Sequence, residues 1–152
     1  MNQPLRYVID ASVGIKLFLN EPLSAEAHTL FAHLAAEPPA QFFVPDLFYI
    51  ECTNILWKHT RRSGLAAATA QTYLELLAEL NLDITATADL MVGALNLATT
   101  WNISAYDACY MMLAQSLGVP LVTADEKLVR AMSGSNLAIE WLGQLALPPT
   151  TA

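Results

Sequence analysis

Apolar residues follow two rhythms along this chain. Short β-rich runs recur: RYVI at Arg6–Ile9, QFFV at Gln41–Val44, LDIT at 82–85, VPLVTA at Val119–Ala124 and LAIEWL at 137–142. Between them lie longer stretches whose apolar residues fall three and four apart. The first rhythm predicts strands and the second helices. A short helix is expected after RYVI to about Leu19, stopped near Asn20–Pro22, and another over Ser24–Ala36, ended by EPP. Pro45-Asp46 opens a longer one, which closes on Arg61, Arg62 and Gly64. Cations in a last turn and a glycine just beyond it suit a helix end. Further helices are predicted over Leu65–Leu80, Ala88–Thr100, Ala105–Leu117 and EKLVRAM.

Strand and helix alternate throughout, so the expected fold is α/β: a three-layer α/β/α sandwich around a central parallel sheet. No repeat or linker divides it. One domain is expected over residues 1–146, followed by a short disordered tail, 147–152. In such a sheet, ligands bind outside the carboxyl ends of the strands. Asp10 ends the first strand, in YVIDAS, and Asp125 follows the fourth, in VTADEKL. Two carboxylates at one rim already suggest a site.

Composition changes the picture in one respect. Hydrophobic residues make up 55% and charged ones 14% of the 152 residues, so a further buried surface, such as a subunit interface, is expected. Phe42, Phe43, Phe48, Tyr49, Trp57 and Tyr73 are candidate interface aromatics, with core packing the plainer alternative for each. No apolar run reaches the length of a membrane span, and no signal peptide is expected. The cysteines, Cys52 and Cys109, make no disulfide framework or zinc spacing, which points to a reducing cytoplasm. His28 and His33 are five apart, His59 lies elsewhere, and no zinc signature forms.

Four carboxylates carry the candidate chemistry. Asp10 and Asp125 each read alternatively as a helix N-cap. Asp107, three after Ser104 in SAYD, reads alternatively as part of a capping box. Glu51 is the hardest to explain structurally. It lies inside a helix among Leu47, Phe48 and Ile55, with no basic residue within a turn. A carboxylate on an apolar face raises its pKa or needs a cation. If the four converge, a hard divalent cation relieves their repulsion. Mg²⁺ and Mn²⁺ prefer oxygen ligands and polarise phosphate oxygens.

In this order, VIDAS, IECTNIL, SAYDACYMMLA and LVTADEKL resemble the PIN-domain ribonucleases, most of all the VapC-type toxins of type II toxin–antitoxin pairs. The resemblance runs from Val8 to about Arg130. It implies Mg²⁺- or Mn²⁺-dependent cleavage of RNA by metal-activated water, leaving 5′-phosphate and 3′-hydroxyl ends. By position, Asp10, Glu51, Asp107 and Asp125 correspond to the acidic site. Asp10 and Asp107 are expected as direct ligands, with Glu51 and Asp125 acting through water or orienting the nucleophile. Ser12, Asn54 and Thr123 match supporting positions, and Glu126 is an extra acid. A cognate antitoxin that plugs the cleft, and a homodimer, are the implied partners.

The net charge of −7 opposes an RNA partner, since phosphate binding usually needs a basic face. Bound divalent cations offset this locally. Lys16, Lys58, Arg61, Arg62, Lys127 and Arg130 are the candidate RNA contacts, although Lys58, Arg61 and Arg62 also suit a helix end. Haloacid-dehalogenase-like phosphatases need a second Asp where Ser12 stands. Receiver domains need paired acids and a late Lys, and neither is in place. A non-toxin RNA-processing PIN nuclease, and a PIN-like module that binds RNA or protein without cutting, remain the alternatives.

Overall fold

A computed structural model describes residues 3–150. Five strands form one sheet: β1 (Arg6–Ile9), β2 (Gln41–Pro45), β3 (Asp83–Thr85), β4 (Leu121–Thr123) and β5 (Ile139–Trp141). All pairings are parallel, in the order β3-β2-β1-β4-β5. Seven helices flank it: α1 (Ala11–Gly14), α2 (Ser24–Ala32), α3 (Leu47–Arg62), α4 (Ala67–Glu79), α5 (Met91–Trp101), α6 (Ala105–Leu117) and α7 (Glu126–Ala131). This is the three-layer α/β/α sandwich.

Burial explains the strand order. Successive side chains of a strand point to opposite faces, yet Val8 and Ile9 are both fully buried, as are Leu121, Val122 and Thr123. Helices therefore cover both faces of the two central strands. The outermost strands, β3 and β5, are short and largely open to solvent, which blunts the sheet edges. α6 packs across β1, β2 and β4, and α5 packs on α6. α1 lies against α3 and β4. Phe42 and Phe48 are fully buried. They belong to the core, not to an interface. Tyr73 stacks on Phe18 at 5.3 Å, also within the chain.

Three helices differ from the expected bounds by three residues or more. The one expected after RYVI to about Leu19 ends as α1 at Gly14 and gives way to a 3₁₀ turn, Ile15–Leu17. The Ser24 helix gives way at His33 to a 3₁₀ turn, His33–Ala35. The fifth helix starts at Met91 because a separate 3₁₀ turn, Thr87–Asp89, precedes it. Asp46, just past β2, fixes that turn: its carboxylate accepts from the backbone N–H of Thr87 at 2.9 Å and from the Thr87 hydroxyl. Residues 147–150 carry no regular secondary structure, although Leu147 packs on the core. The last two residues of the expected tail lie outside the described residues.

No helix among the described residues is long and apolar enough to cross a membrane.

Candidate active site

The carboxyl rim of the sheet is built by two strand-to-helix loops that share one hydrogen-bond network. β1 ends at Ile9, and Asp10 follows it, its N–H still bonded to the Val122 carbonyl at 3.1 Å. Asp10 precedes α1, but its side chain does not cap that helix. Instead, its Oδ2 accepts from the Thr123 hydroxyl at 2.7 Å and from the Ser12 hydroxyl at 2.9 Å. The same hydroxyls accept in turn: Ser12 Oγ from the N–H of Ala124, and Thr123 Oγ1 from the N–H of Asp125, both at 3.1 Å. Ser12 and Thr123 thus latch the β1–α1 loop to the β4–α7 loop across Asp10.

That latch sets the local electrostatics. Asp10 is 6% exposed. Burial raises its carboxyl above the ordinary carboxylate range, and the Thr123 and Ser12 hydroxyls pull it only part of the way back. Glu51, on α3, is half-buried, and its Oε1 is buried with no hydrogen-bond partner. Burial raises its carboxyl most, the nearby Tyr110 hydroxyl opposes this, and the charges of Asp10 and Asp107 add to the rise. Tyr110 Oη is itself buried without a hydrogen-bond partner, so the two groups sense each other without forming a bond. Asp107, in the first turn of α6, is pushed up to about 6, by burial first and then by the charges of Asp10 and Asp125. Its backbone N–H donates to Ser104, the N-cap.

Asp125 is the most exposed of the four, and its alternative role as an N-cap is realised: Oδ1 accepts from the Lys127 N–H at 2.9 Å. Glu51 and Asp107 therefore each feel other acids through their charge. Among the described residues, however, no three Asp, Glu, His or Cys side chains stand as a group ready to enclose a metal ion. The donor chemistry still suits a hard divalent cation. The set is all oxygen, the charges of its neighbours raise the carboxyls of Glu51 and Asp107, and Glu51 Oε1 is buried with no hydrogen-bond partner.

The model of the PIN domain family matches residues 7–132. The chain belongs to the PIN domain family. Ribonuclease VapC3 of Pyrobaculum aerophilum is 32% identical to this PIN domain over 126 residues, which are 82% of this chain and 92% of the relative. Among solved structures, PAE2754 from Pyrobaculum aerophilum superposes with a TM-score of 0.64 at 25% identity, covering 91% of this chain and 85% of that one. A toxin–antitoxin complex from Klebsiella pneumoniae contains a chain of the same fold: TM-score 0.60, 18% identity, coverage 88% and 95%.

The remaining candidate residues of the PIN domain fall into two groups. Lys58, Arg61, Arg62, Lys127 and Arg130 are exposed. Lys58 and Arg62 line a cavity of about 230 Å³ with His59 and Ser63 at the end of α3. Lys16 is not available as an RNA contact. It is 9% exposed and its ammonium pairs with Glu21 at 2.9 Å. Asn54 is exposed, and no hydrogen bond among the described residues joins it to Glu51. It lines a cavity of about 540 Å³ that runs past Glu51 to Trp57 and Tyr106. Glu126 is exposed in the first turn of α7.

Two groups near the acids escape a sequence-level reading. Tyr110 reads as an ordinary core aromatic; only its position three residues after Asp107, on the same helical face, hints at the site. Tyr106, exposed on the preceding turn, carries no signal beyond its adjacency to Asp107.

Proposed function

We propose that this PIN domain is a divalent-metal-dependent endoribonuclease, and the toxin of a toxin–antitoxin pair. The observation that carries the reading is the orphaned Glu51 Oε1, a buried acceptor on a carboxyl that the charges of Asp10 and Asp107 raise. Four acids without a compensating cation are costly to gather, and a catalytic cation gives them a reason. The identity to a ribonuclease supports RNA as substrate.

Asp10, Glu51, Asp107 and Asp125 are the residues that would hold Mg²⁺ or Mn²⁺. Such a cation supplies Lewis acidity toward phosphate oxygens and makes water a better nucleophile at neutral pH. The chain's own residues supply order. Ser12 and Thr123 both donate to Asp10 Oδ2, which fixes the carboxylate plane and leaves Oδ1 free of the hydroxyls. Lys127 N–H fixes Asp125 in the same way. Tyr110 stays a neutral phenol, because burial and the charges of Asp10 and Glu51 raise its pKa. It therefore keeps its proton and adds no charge beside Glu51. Lys58, Arg61, Arg62 and Lys127 are the proposed backbone contacts on an otherwise acidic protein.

The antitoxin proposal is supported by the fold shared with a toxin–antitoxin complex. A homodimer is supported by the outward face of α5, where Met91, Val92 and Leu95 are all more than half exposed. The absence of a preformed metal-holding group among the described residues favours one second reading, a PIN domain that binds RNA or protein without cutting.

Cleavage of total cellular RNA separates the two. The purified protein, in Mg²⁺ or in EDTA, is compared with Asp10→Asn. Discrete fragments that require both the metal and Asp10 are expected. Intact RNA, together with no binding of Mg²⁺ or Mn²⁺ by calorimetry, would overturn the proposal. Intact RNA with metal binding retained would select the binding module.

A further inference from the structure

We infer that the groove along α3, between Glu51 and Trp57, is a nucleobase-binding subsite: an unpaired base of the RNA stacks on the Trp57 indole. The inference rests on the nuclease reading above for the identity of the occupant, and it adds a residue that selects how the strand lies.

Four observations converge on it. The groove shares Glu51 with the acidic site, so a ligand in it is continuous with whatever meets the carboxylates. Its far wall is aromatic: Trp57 is 50% exposed and Tyr106 is 62% exposed, which is unusual for such large rings unless something covers them. The Arg61 guanidinium lies 4.9 Å from the centre of the Trp57 ring, and the half-exposed ring also lines the groove. Lys58 and Arg62 line the neighbouring cavity on the same helix, and neither forms an ion pair among the described residues.

The pattern is that of a single-strand site, with a ring to stack on and cations beside it for the phosphates. About 9 Å of helix separates Glu51 from Trp57, at ~1.5 Å per residue. A base on the indole then belongs to a nucleotide adjoining the phosphate held at the carboxylates. Asn54, one turn before Lys58, lines the groove between them and has no hydrogen-bond partner among the described residues. Its amide offers both donors and an acceptor to a base edge. Thr53 does not compete, because its hydroxyl donates to the Tyr49 carbonyl at 2.8 Å. Leu47 and the exposed Ile50 also line the groove, and the charge that favours a nucleic acid as occupant comes from Lys58, Arg61 and Arg62, which stand beside it on α3 of an otherwise acidic chain.

The test is titration of the full-length protein with a short single-stranded RNA oligonucleotide in EDTA, which prevents cleavage. Tryptophan emission and fluorescence anisotropy are read together for the wild type, Trp57→Ala and Trp57→Phe. Stacking quenches the wild-type emission, and the quench disappears in both variants. Trp57→Ala weakens binding about tenfold or more, and Trp57→Phe recovers most of the loss, because a phenyl ring still stacks. Trp57 is half exposed, so neither change removes core packing, and circular dichroism checks that both variants fold. Equal binding by wild type and Trp57→Ala, or a quench that persists in Trp57→Phe, overturns the subsite. So does a Trp57→Ala defect confined to a protein partner, with RNA binding intact. The cleavage assay on total RNA is scored separately. A wild type that does not cut but shows the Trp57-dependent quench sinks the nuclease and keeps the subsite. A wild type that cuts, with Trp57→Ala cutting equally well, does the reverse.

Discussion

Asp10→Asn should make this protein more stable, not less, when metal is withheld. The Asn carbonyl can take the place of Oδ2 and keep both hydroxyl bonds, from Ser12 and Thr123, so the latch survives. What disappears is a buried negative charge that raises the carboxyls of both Glu51 and Asp107. Asp107 titrates at about 6 in place of 3.8. At ~1.4 kcal/mol per pKa unit, that difference corresponds to about 3 kcal/mol against the charged folded state. Burial, its largest cause, and the charge of Asp125 stay in the variant, and with solvent screening the share that leaves with the Asp10 charge is about 1 kcal/mol or less. Adding the relief of desolvation at Asp10 itself, the variant should gain about 1–2 kcal/mol. For a chain of this size that is a rise of about 2–8 °C in Tm.

The sign depends on pH. A carboxyl whose folded pKa lies above its unfolded value binds its proton more tightly when folded. It costs nothing when both states are protonated, and its penalty grows as pH rises through the unfolded value and then the folded one. The advantage of Asp10→Asn should therefore be full near pH 7.5, shrink between about pH 6 and 4, and be lost below about pH 4. Thermal melts followed by circular dichroism in EDTA measure it. Added Mg²⁺ should then raise the Tm of the wild type and leave the variant unmoved. An equal or lower Tm for the variant near neutral pH would refute the electrostatic account. A gain that persists at about pH 4 would also refute it, because relief of charge has no role there.

The other predictions are briefer. The Asp107 carboxyl resonance, followed by ¹³C NMR in EDTA, should titrate near 6 and shift to lower pH as Mg²⁺ is added. Gly14→Ala should cost about 1–3 kcal/mol in denaturant unfolding, since its new methyl would lie 2.6 Å from the tip of the fully buried Phe48 ring. A loss under about 0.5 kcal/mol would show that the ring can move aside. Lys58→Ala combined with Arg62→Ala should raise KM for RNA with little change in kcat. It should also flatten the salt dependence of binding by about 0.7 per lost phosphate contact in a log–log plot.

Much of the fold was legible because its signals are local. α6 runs over Ala105–Leu117 as the periodicity predicts, opened by Ser104 and closed by Gly118, whose φ of 66° suits a residue without a Cβ. β1 occupies the four residues read from the sequence. The later start of α5 was not legible, because its cause is Asp46, 41 residues before Thr87. The same contrast holds at the site. Asp10 and Asp125 stand out by ending β-rich runs, and Glu51 by being a carboxylate in an apolar helical context. The loss of Lys16 as a contact was hidden, because its partner Glu21 lies across a helix break. Phe42 and Phe48 could be assigned to the core only once the sheet and α3 were placed against each other. Tyr110 was silent for the same reason: an aromatic on an apolar helix face reads as packing until its hydroxyl is seen beside Glu51.

The latch across Asp10 also has a meaning in time. Ser12 is made early, but Thr123 lies 111 residues further along the chain. β1, the central strand, gains β2 soon after synthesis begins and must wait for β4 before its other edge is paired. Until β4 leaves the ribosome and docks, Asp10 has no Thr123 hydroxyl, Asp125 has no anchor, and the two loops that make the rim are unconnected. Pairings this distant in sequence are slow to close. A nascent or truncated chain that stops short of Thr123 therefore carries the first three acids of the candidate site without the loop that joins them. The finished rim exists only when the whole domain has been made.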